Sequence, residues 1–378
     1  MTAAEGARRA YARSGVDVEA GDRAVELMRD RIAATQGPAV LAGVGGFASA
    51  VALPEGMREP VLVGATDGVG TKTEIARATG RLDTIGLDLV AMCADDVVCL
   101  GARPLFFLDY VAVGHVDPGA VASLVAGVAR GCEIAACALV GGETAEHPGV
   151  MEPDQFDLAG FCVGVAERAE LLSADSVEEG DALLGLAASG LHANGYSLVR
   201  SVIGSHGLAL DLPWSDAVHA MLGVAEMERP VAGAGPGSEA TVGDVLLTPT
   251  RIYAADVLAL RTHLAGRGLS LHGLAHITGG GLPGNVPRAL PPSLGARVDP
   301  SAWPVPEVMR LVAALAGMDG PEVRATLNGG LGMVAVLPPE AVSAARAFLS
   351  ERGVAAWQVG SVVPAEEAGA GRYVEVTS

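Results

Sequence analysis

Between residues 22 and 35 (DRAVELMRDRIAAT) apolar side chains recur at helical spacing, with Val25, Met28 and Ile32 on one face and charges opposite. This predicts an amphipathic helix. A glycine-rich stretch, LAGVGGFASAVAL, follows, and then PVLVGAT runs into the turn Asp67-Gly-Val-Gly-Thr-Lys72, the signature of a strand feeding a loop. From Asp83 to Leu100 the helical period returns, with Ile85, Leu89, Met92 and Cys93 on the apolar side. At ~100° per residue, Asp88 and Asp95 project nearly together and Asp96 lies ~80° round from Asp88. PLFFLDYVAVG reads as a buried strand, residues 119–138 as a helix, ALVGG as a strand ending in a glycine turn, and FDLAGFCVGVAE as another strand. The alternation of the two periods predicts a mixed α/β class.

The polar, acidic run SADSVEEGD (173–181) separates two apolar strands and places a domain boundary near residue 170. Two domains are expected, 1–170 and 171–378, in keeping with a 378-residue chain at roughly 100–200 residues per domain. The second half repeats the alternation. LLGLAAS is followed by the turn Gly190-Leu-His-Ala-Asn-Gly195 and a helix beginning near Tyr196. Residues 213–243, rich in Gly, Pro and Ala, read as an irregular insertion, residues 332–363 as strand, helix and strand, and the last ten or so as a loose tail.

Composition narrows the partners. With 44 acids against 25 bases the formal charge is −19, and a phosphate polymer needs a positive footprint. Nucleic acid is therefore not an expected partner. The N-terminal MTAAEGARRAYARSG has no apolar run after its bases, and the longest uncharged stretch, Ile32 to Pro54, is broken by glycines and Pro38. Neither a secretory signal nor a membrane helix is expected. The five cysteines (Cys93, Cys99, Cys132, Cys137, Cys162) include no C-x-x-C pair, which suits reduced core residues of a cytoplasmic protein.

Of the 25 basic residues only Lys72 is a lysine. It stands in a glycine-rich loop after a strand, where a compact charge suits a phosphate contact. The loop lacks the G-K-[ST] order of a P-loop. Asp67 in that loop, Asp88, Asp95 and Asp96 on the helix, and Glu143 in Gly141-Gly-Glu-Thr144 supply the hard oxygen donors that Mg²⁺ uses when it bridges nucleotide phosphates. The second half carries two further glycine turns. One is Ser189-Gly-Leu-His-Ala-Asn-Gly-Tyr196, and the other runs from His276 through Gly279, Gly280 and Gly281 to Arg288. Consecutive glycines let backbone N–H groups close on an anion, and an arginine adds a bidentate contact. His272 and His276 stand four apart without the carboxylate pattern of a zinc motif, and no G-x-S-x-G occurs.

The segments GVDVEAGDRAVEL, GATDGVGTK, TIGLDLVAMCADD, ARPLFFLDYVA, LVGGETAEHPG, GFCVGVAE, SGLHANGYSLVR, LTPTRIY and HITGGGLPGNVPR, in this order, resemble the phosphoribosylformylglycinamidine cyclo-ligase (AIR synthetase) family. The resemblance runs from about residue 11 to about residue 362. It implies a two-domain AIR-synthetase-like α/β fold, with the N-terminal domain pairing with a second subunit into a β-barrel. It also implies a cytoplasmic homodimer that uses ATP and Mg²⁺ to cyclise formylglycinamidine ribonucleotide, a small phosphorylated substrate, in purine biosynthesis.

Carried onto this chain, the resemblance assigns Asp67, Asp96 and Glu143 to Mg²⁺, and Asp67, Gly68, Gly70, Lys72, Asp96, Gly142, Thr144 and Arg29 to the nucleotide. It assigns Ser189, Gly190, Gly279, Gly280, Gly281 and Arg288 to the substrate, His192 and Asn194 to the reacting groups, and His276 to the general base. Arg29 replaces a usual lysine, Asp95 a common asparagine, and Asn328-Gly-Gly-Leu-Gly332 a more usual turn. These departures leave room for a paralogous amide-activating or kinase-type enzyme of the same superfamily. The cysteines that a selenophosphate synthase or a hydrogenase-maturation dehydratase needs are absent. A catalytically silent nucleotide-binding partner has no physical need for Lys72, the acids and both histidine turns.

Overall fold

The computed structural model describes residues 17–223 and 239–376, so the reading of the N-terminal segment falls outside the described residues. Two compact units emerge, one made of residues up to Val97 with Pro104–Glu167, the other of Val98–Arg103 with the chain from Arg168 onward.

The first unit opens with helix α1 (Val18–Thr35), capped by the Asp17 carboxylate, which accepts the Ala20 N–H. Short strands β1 (Val40–Ala42) and β2 (Ala50–Val51) flank the glycine-rich segment. Then come β3 (Pro60–Gly68), α2 (Thr73–Thr79), α3 (Ile85–Cys99), β4 (Arg103–Val113), α4 (Pro118–Ala135), β5 (Ala138–Glu146) and β6 (Phe156–Glu167). The four long strands form one sheet in the order β3-β6-β4-β5. β3 pairs antiparallel with β6 from Pro60↔Glu167 to Gly68↔Ala159, and β4 pairs parallel with β5, the register shifting between Phe107 and Leu108. The parallel pair needs a crossover, which α4 supplies; Asp117 caps it and Pro118 occupies its first turn.

Helices α3 and α4 cross at glycines. A β-carbon on Gly86 would run into the α4 backbone at Leu124–Val128, and one on Gly131 into the Val90 side chain. Side chains on one sheet face, including Val63, Phe107 and Cys162, are buried. On the other, Leu62 is 62% and Phe161 44% exposed.

The second unit adds β7 (Ala182–Ala187), α5 (Tyr196–Ser205), α6 (Trp214–Leu222), α7 (Val242–Leu246), α8 (Ala254–Ala265), β8 (Gly273–His276), α9 (Gly281–Asn285) and β9 (Leu294–Val298). It closes with α10 (Glu307–Ala316), α11 (Gly320–Thr326), β10 (Leu331–Leu337), α12 (Val342–Glu351), β11 (Ala356–Pro364) and β12 (Tyr373–Glu375). Its sheet runs β12-β9-β11-β7-β10-β8. One apolar cluster under it joins Leu183, Ile277, Val286, Trp303, Leu331 and Val362. β7 and β10 are buried along almost their whole length, so they read as continuous apolar runs.

Two expectations are corrected here. Residues 214–222 form a helix rather than irregular chain, since Trp214, Ala217 and Val218 share one buried face and the Trp214 indole donates to Glu307 Oε1 at 2.7 Å. The last described residues are not loose. β12 pairs parallel with β9, and Arg324 Nε donates to Glu375 Oε1 at 2.7 Å. All five cysteines are free and four are buried, and no helix among the described residues is long and apolar enough to cross a membrane.

Candidate functional site

In the first unit β3 delivers Asp67 to an exposed strand end, where its Oδ1 accepts the Gly68 N–H at 2.7 Å. Gly70 has φ 69°, a left-handed conformation that favours glycine, and it starts the tight turn Gly70–Lys72. That turn aims Lys72 inward. Its Nζ lies 2.8 Å from Asp88 Oδ1, and neither side chain is exposed. Burial lowers the Lys72 pKa while the Asp88 carboxylate opposes the shift. The ammonium ties the 67–72 loop to α3 and does not reach the surface.

Asp95 is also fully buried on α3, whereas Asp96 is half-buried. Burial chiefly, with the nearby Cys162, Asp67 and Asp96 adding, pushes the Cys93 thiol up, so both carboxylates lie near that sulfur. Glu143 is exposed on β5. In the sheet order, β5 lies three strand spacings from β3, ~14 Å along the sheet. Among the described residues no three His, Cys, Asp or Glu side chains gather as a metal-binding group, so the expected trio of Asp67, Asp96 and Glu143 is not assembled within this chain. Two carboxylates, Asp67 and Asp96, fit the way Mg²⁺ is held when phosphates and water complete its shell.

Gly142, Glu143 and Thr144 instead line a cavity against α1, together with Asp109 of β4. Arg29 is exposed on α1. Asp109 was missed in the sequence, although a single acid inside PLFFLDYVAV is itself a signal. It is 8% exposed, and its Oδ2 has no hydrogen-bond partner among the described residues. Burial pushes its pKa up to about 7, against the pull of its own backbone amide. An unsatisfied buried polar atom costs about 1–3 kcal/mol, so the position is one the fold holds at a loss.

In the second unit the two glycine turns converge on Gly332. His192 has φ 64°, uncommon for a residue with a β-carbon, and its Nε2 accepts the Ser189 N–H at 3.1 Å. A nitrogen that accepts carries no proton, so neutral His192 carries its proton on Nδ1. Ser189 Oγ donates to Pro249 O at 2.6 Å, and Asn328 Nδ2 donates to Gly190 O at 2.9 Å. His276 ends β8 in register with Met333, and the Ile277 N–H donates to Gly332 O at 2.9 Å. A β-carbon on Gly332 would collide with the Tyr253 hydroxyl and with His192 Cε1. The missing side chain at Gly332 thus leaves room for the His192 ring.

The Asn194 Oδ1 lies 3.7 Å from where a Gly279 β-carbon would stand. Gly280 and Gly281 have φ 90° and 58°, and Asn285 Nδ2 donates to Gly279 O and Gly281 O at 3.1 and 2.8 Å. Arg288 is exposed, with one guanidinium nitrogen 3.0 Å from Asn285 Oδ1. The structure therefore brings together Ser189, Gly190, His192, Asn194, His276 and the 279–281 loop. His272 stands apart, with Nδ1 at 2.7 Å from Asp181 Oδ2 and Nε2 at 2.8 Å from Ser270 Oγ. Four residues along an extended run are ~13 Å, which separates it from His276.

Comparison with known proteins places the chain in a family. Residues 48–166 match the AIR synthase related protein N-terminal domain and residues 178–371 its C-terminal domain. The phosphoribosylformylglycinamidine cyclo-ligase of Sorangium cellulosum is 48% identical over 93% of this chain and 95% of its own length. That of Myxococcus xanthus is 47% identical over 97% and 98%. The chain belongs to the phosphoribosylformylglycinamidine cyclo-ligase family. The cyclo-ligase of Thermosynechococcus vestitus, 44% identical over 96% of this chain and 98% of its own, extends the same relationship.

The cyclo-ligase fold also recurs in more distant solved structures. Thiamine-monophosphate kinase from Stenotrophomonas maltophilia superposes with a TM-score of 0.60 at 17% identity, covering 89% of this chain and 93% of its own. Hydrogenase maturation protein HypE in complex with ATP gives 0.59 at 20%, covering 93% and 91%. At that identity the likeness is one of fold.

Proposed function

We propose that the chain catalyses the ATP-dependent closure of formylglycinamidine ribonucleotide to 5-aminoimidazole ribonucleotide, releasing ADP and phosphate. The observation that carries this reading is the near-full-length likeness, at 44–48% identity, to relatives bearing the cyclo-ligase name.

In chemical terms the formyl amide oxygen attacks the γ-phosphorus of ATP, and the bond to the bridging oxygen breaks to release ADP. The amidine nitrogen then attacks the activated carbon, the carbon–oxygen electron pair leaves with phosphate, and the ring nitrogen loses a proton. The enzyme contributes orientation and charge stabilisation. On this reading His192 donates its Nδ1–H to the substrate, Asn194 and the 279–281 amides position it, and His276 removes the proton. Arg288, with Ser189 and Gly190, belongs to the substrate's phosphate side. The Asp67-Gly68 and Gly70 turn, Asp96, Gly142, Thr144 and Arg29 belong to the nucleotide. Asp67 and Asp96 would hold Mg²⁺, which when bound neutralises phosphate charge.

The reading extends to a cytoplasmic homodimer in which the first unit's sheet pairs with that of a second copy. The exposed Leu62 and Phe161 on its open face support this, since such apolar surface marks an interaction site. The test is a coupled assay with purified protein, ATP, Mg²⁺ and formylglycinamidine ribonucleotide, scored for the aminoimidazole product and for phosphate, with sedimentation for the dimer. Absence of product from folded protein overturns the reading.

A further inference from the structure

The buried Asp109 carboxyl has no role in the chemistry above, yet it lines a cavity of about 250 Å³ between α1 and β5. The walls beside it are apolar, from Val25, Met28 and Ile32 of α1 and from Leu139. No lysine or arginine lines the cavity among the described residues, so it is not built for phosphate. Its volume is below the roughly 300–1,000 Å³ of sites that enclose a whole drug-sized ligand, which leaves room for a fragment. Gly142, the cross-strand neighbour of Asp109 on β5, carries no side chain, and a β-carbon there would fill the place of Asp109 Oδ1. The chain thus leaves side-chain volume out where the carboxyl stands, and Asp109 Oδ2 has no partner among the described residues.

We propose that this cavity takes the base of the nucleotide and that Asp109 recognises the amino group of adenine. The proposal rests on the nucleotide use proposed above and deepens it. A planar ring with apolar faces matches the aliphatic walls, and a carboxylate oxygen accepts from an amino donor. A purine bearing an oxo group at that position presents an acceptor to an acceptor, and a site built around one hydrogen bond rejects such an analogue strongly. Asp109 is therefore a specificity-determining residue.

Equilibrium dialysis of the full chain against ADP and IDP, together with initial rates on ATP and ITP, tests this. At about pH 8.5, where a carboxyl titrating at about 7 is ionised, the wild type is expected to prefer ADP over IDP by about 100-fold or more. Asp109→Asn, equal in shape and able to present either a donor or an acceptor, is expected to narrow that preference at least tenfold. An unchanged preference in folded Asp109→Asn overturns the proposal. Val25→Trp, at a cavity wall position that is 41% exposed, is a second arm. It is expected to weaken ADP binding at least tenfold by filling the cavity, and unchanged binding overturns the proposal as well. A wild type that binds no nucleotide removes the nucleotide reading itself, whereas one that uses ATP but shows no preference between the bases removes only this inference.

Discussion

Lys72 Nζ and Asp88 Oδ1 lie 2.8 Å apart with neither side chain exposed, so the chain's single lysine ties the 67–72 loop to α3. Removing one partner of a buried ion pair costs about 3–5 kcal/mol, whereas replacing both by apolar residues is far milder. Lys72→Met is therefore expected to lose roughly that much in denaturant unfolding, and Lys72→Met with Asp88→Leu to recover most of it. Equal losses in the single and double variants would show the pair to be uncoupled.

On the proposed reading His192 donates through Nδ1, because its Nε2 accepts the Ser189 N–H. Asparagine reproduces the Nδ1 side of the ring and tolerates positive φ, whereas glutamine reproduces the Nε2 side. His192→Asn is expected to keep kcat within about tenfold of wild type, and His192→Ala to fall about 10²–10⁴-fold, the range for a positioned proton donor. If His192→Gln is the better of the two amides, the tautomer is the other one.

Gly332 seats this ring, since any β-carbon there meets His192 and Tyr253. Gly332→Ala is expected to cost about 1–3 kcal/mol through overpacking, and about 10²-fold in kcat through displacement of His192. ADP affinity, measured by dialysis, should stay unchanged.

Burial raises the Asp109 pKa to about 7, while the unfolded chain titrates near 3.9. Between these values the folded protein holds a proton that the unfolded chain has lost, so stability from this group is complete below pH ~4 and declines as pH rises to about 7. Glu143 on β5 and Cys132 on α4 are the titratable neighbours. Asp109→Asn removes the decline. Its stability relative to wild type should rise by on the order of 3 kcal/mol from pH 4 to pH 8, as read by denaturant midpoints, and a constant difference would contradict this.

Glu375 anchors the final strand through Arg324, itself 9% exposed. Glu375→Ala is expected to destabilise the second unit by about 2–3 kcal/mol, the worth of charged hydrogen bonds, seen as a lower Tm.

The strands and helices around the sites were legible because their apolar periods of 2 and 3.6 survive in the sequence. β6, for example, spans the predicted FDLAGFCVGVAE from end to end. Helix α6 was hidden by the Gly- and Pro-rich residues that follow it. β12 was hidden because its pairing with β9 is a contact across about 75 positions that no local pattern encodes. The two histidine turns could be found from their glycines, but not their meeting at Gly332, which depends on the register of β10 with β8. Lys72 stood out by composition, yet its inward direction is decided by Asp88, sixteen residues away on another helix. The separation of Glu143 from Asp67 follows from strand order, which spacing along the chain does not reveal.

Because its one lysine is sealed inside, the folded protein offers amine-directed chemistry no side chain to attack. Acylating reagents, aldehyde cross-linkers and lysine-modifying enzymes find no accessible lysine. Any label found on Lys72 therefore records a molecule that had opened, which makes this residue a built-in reporter of local unfolding.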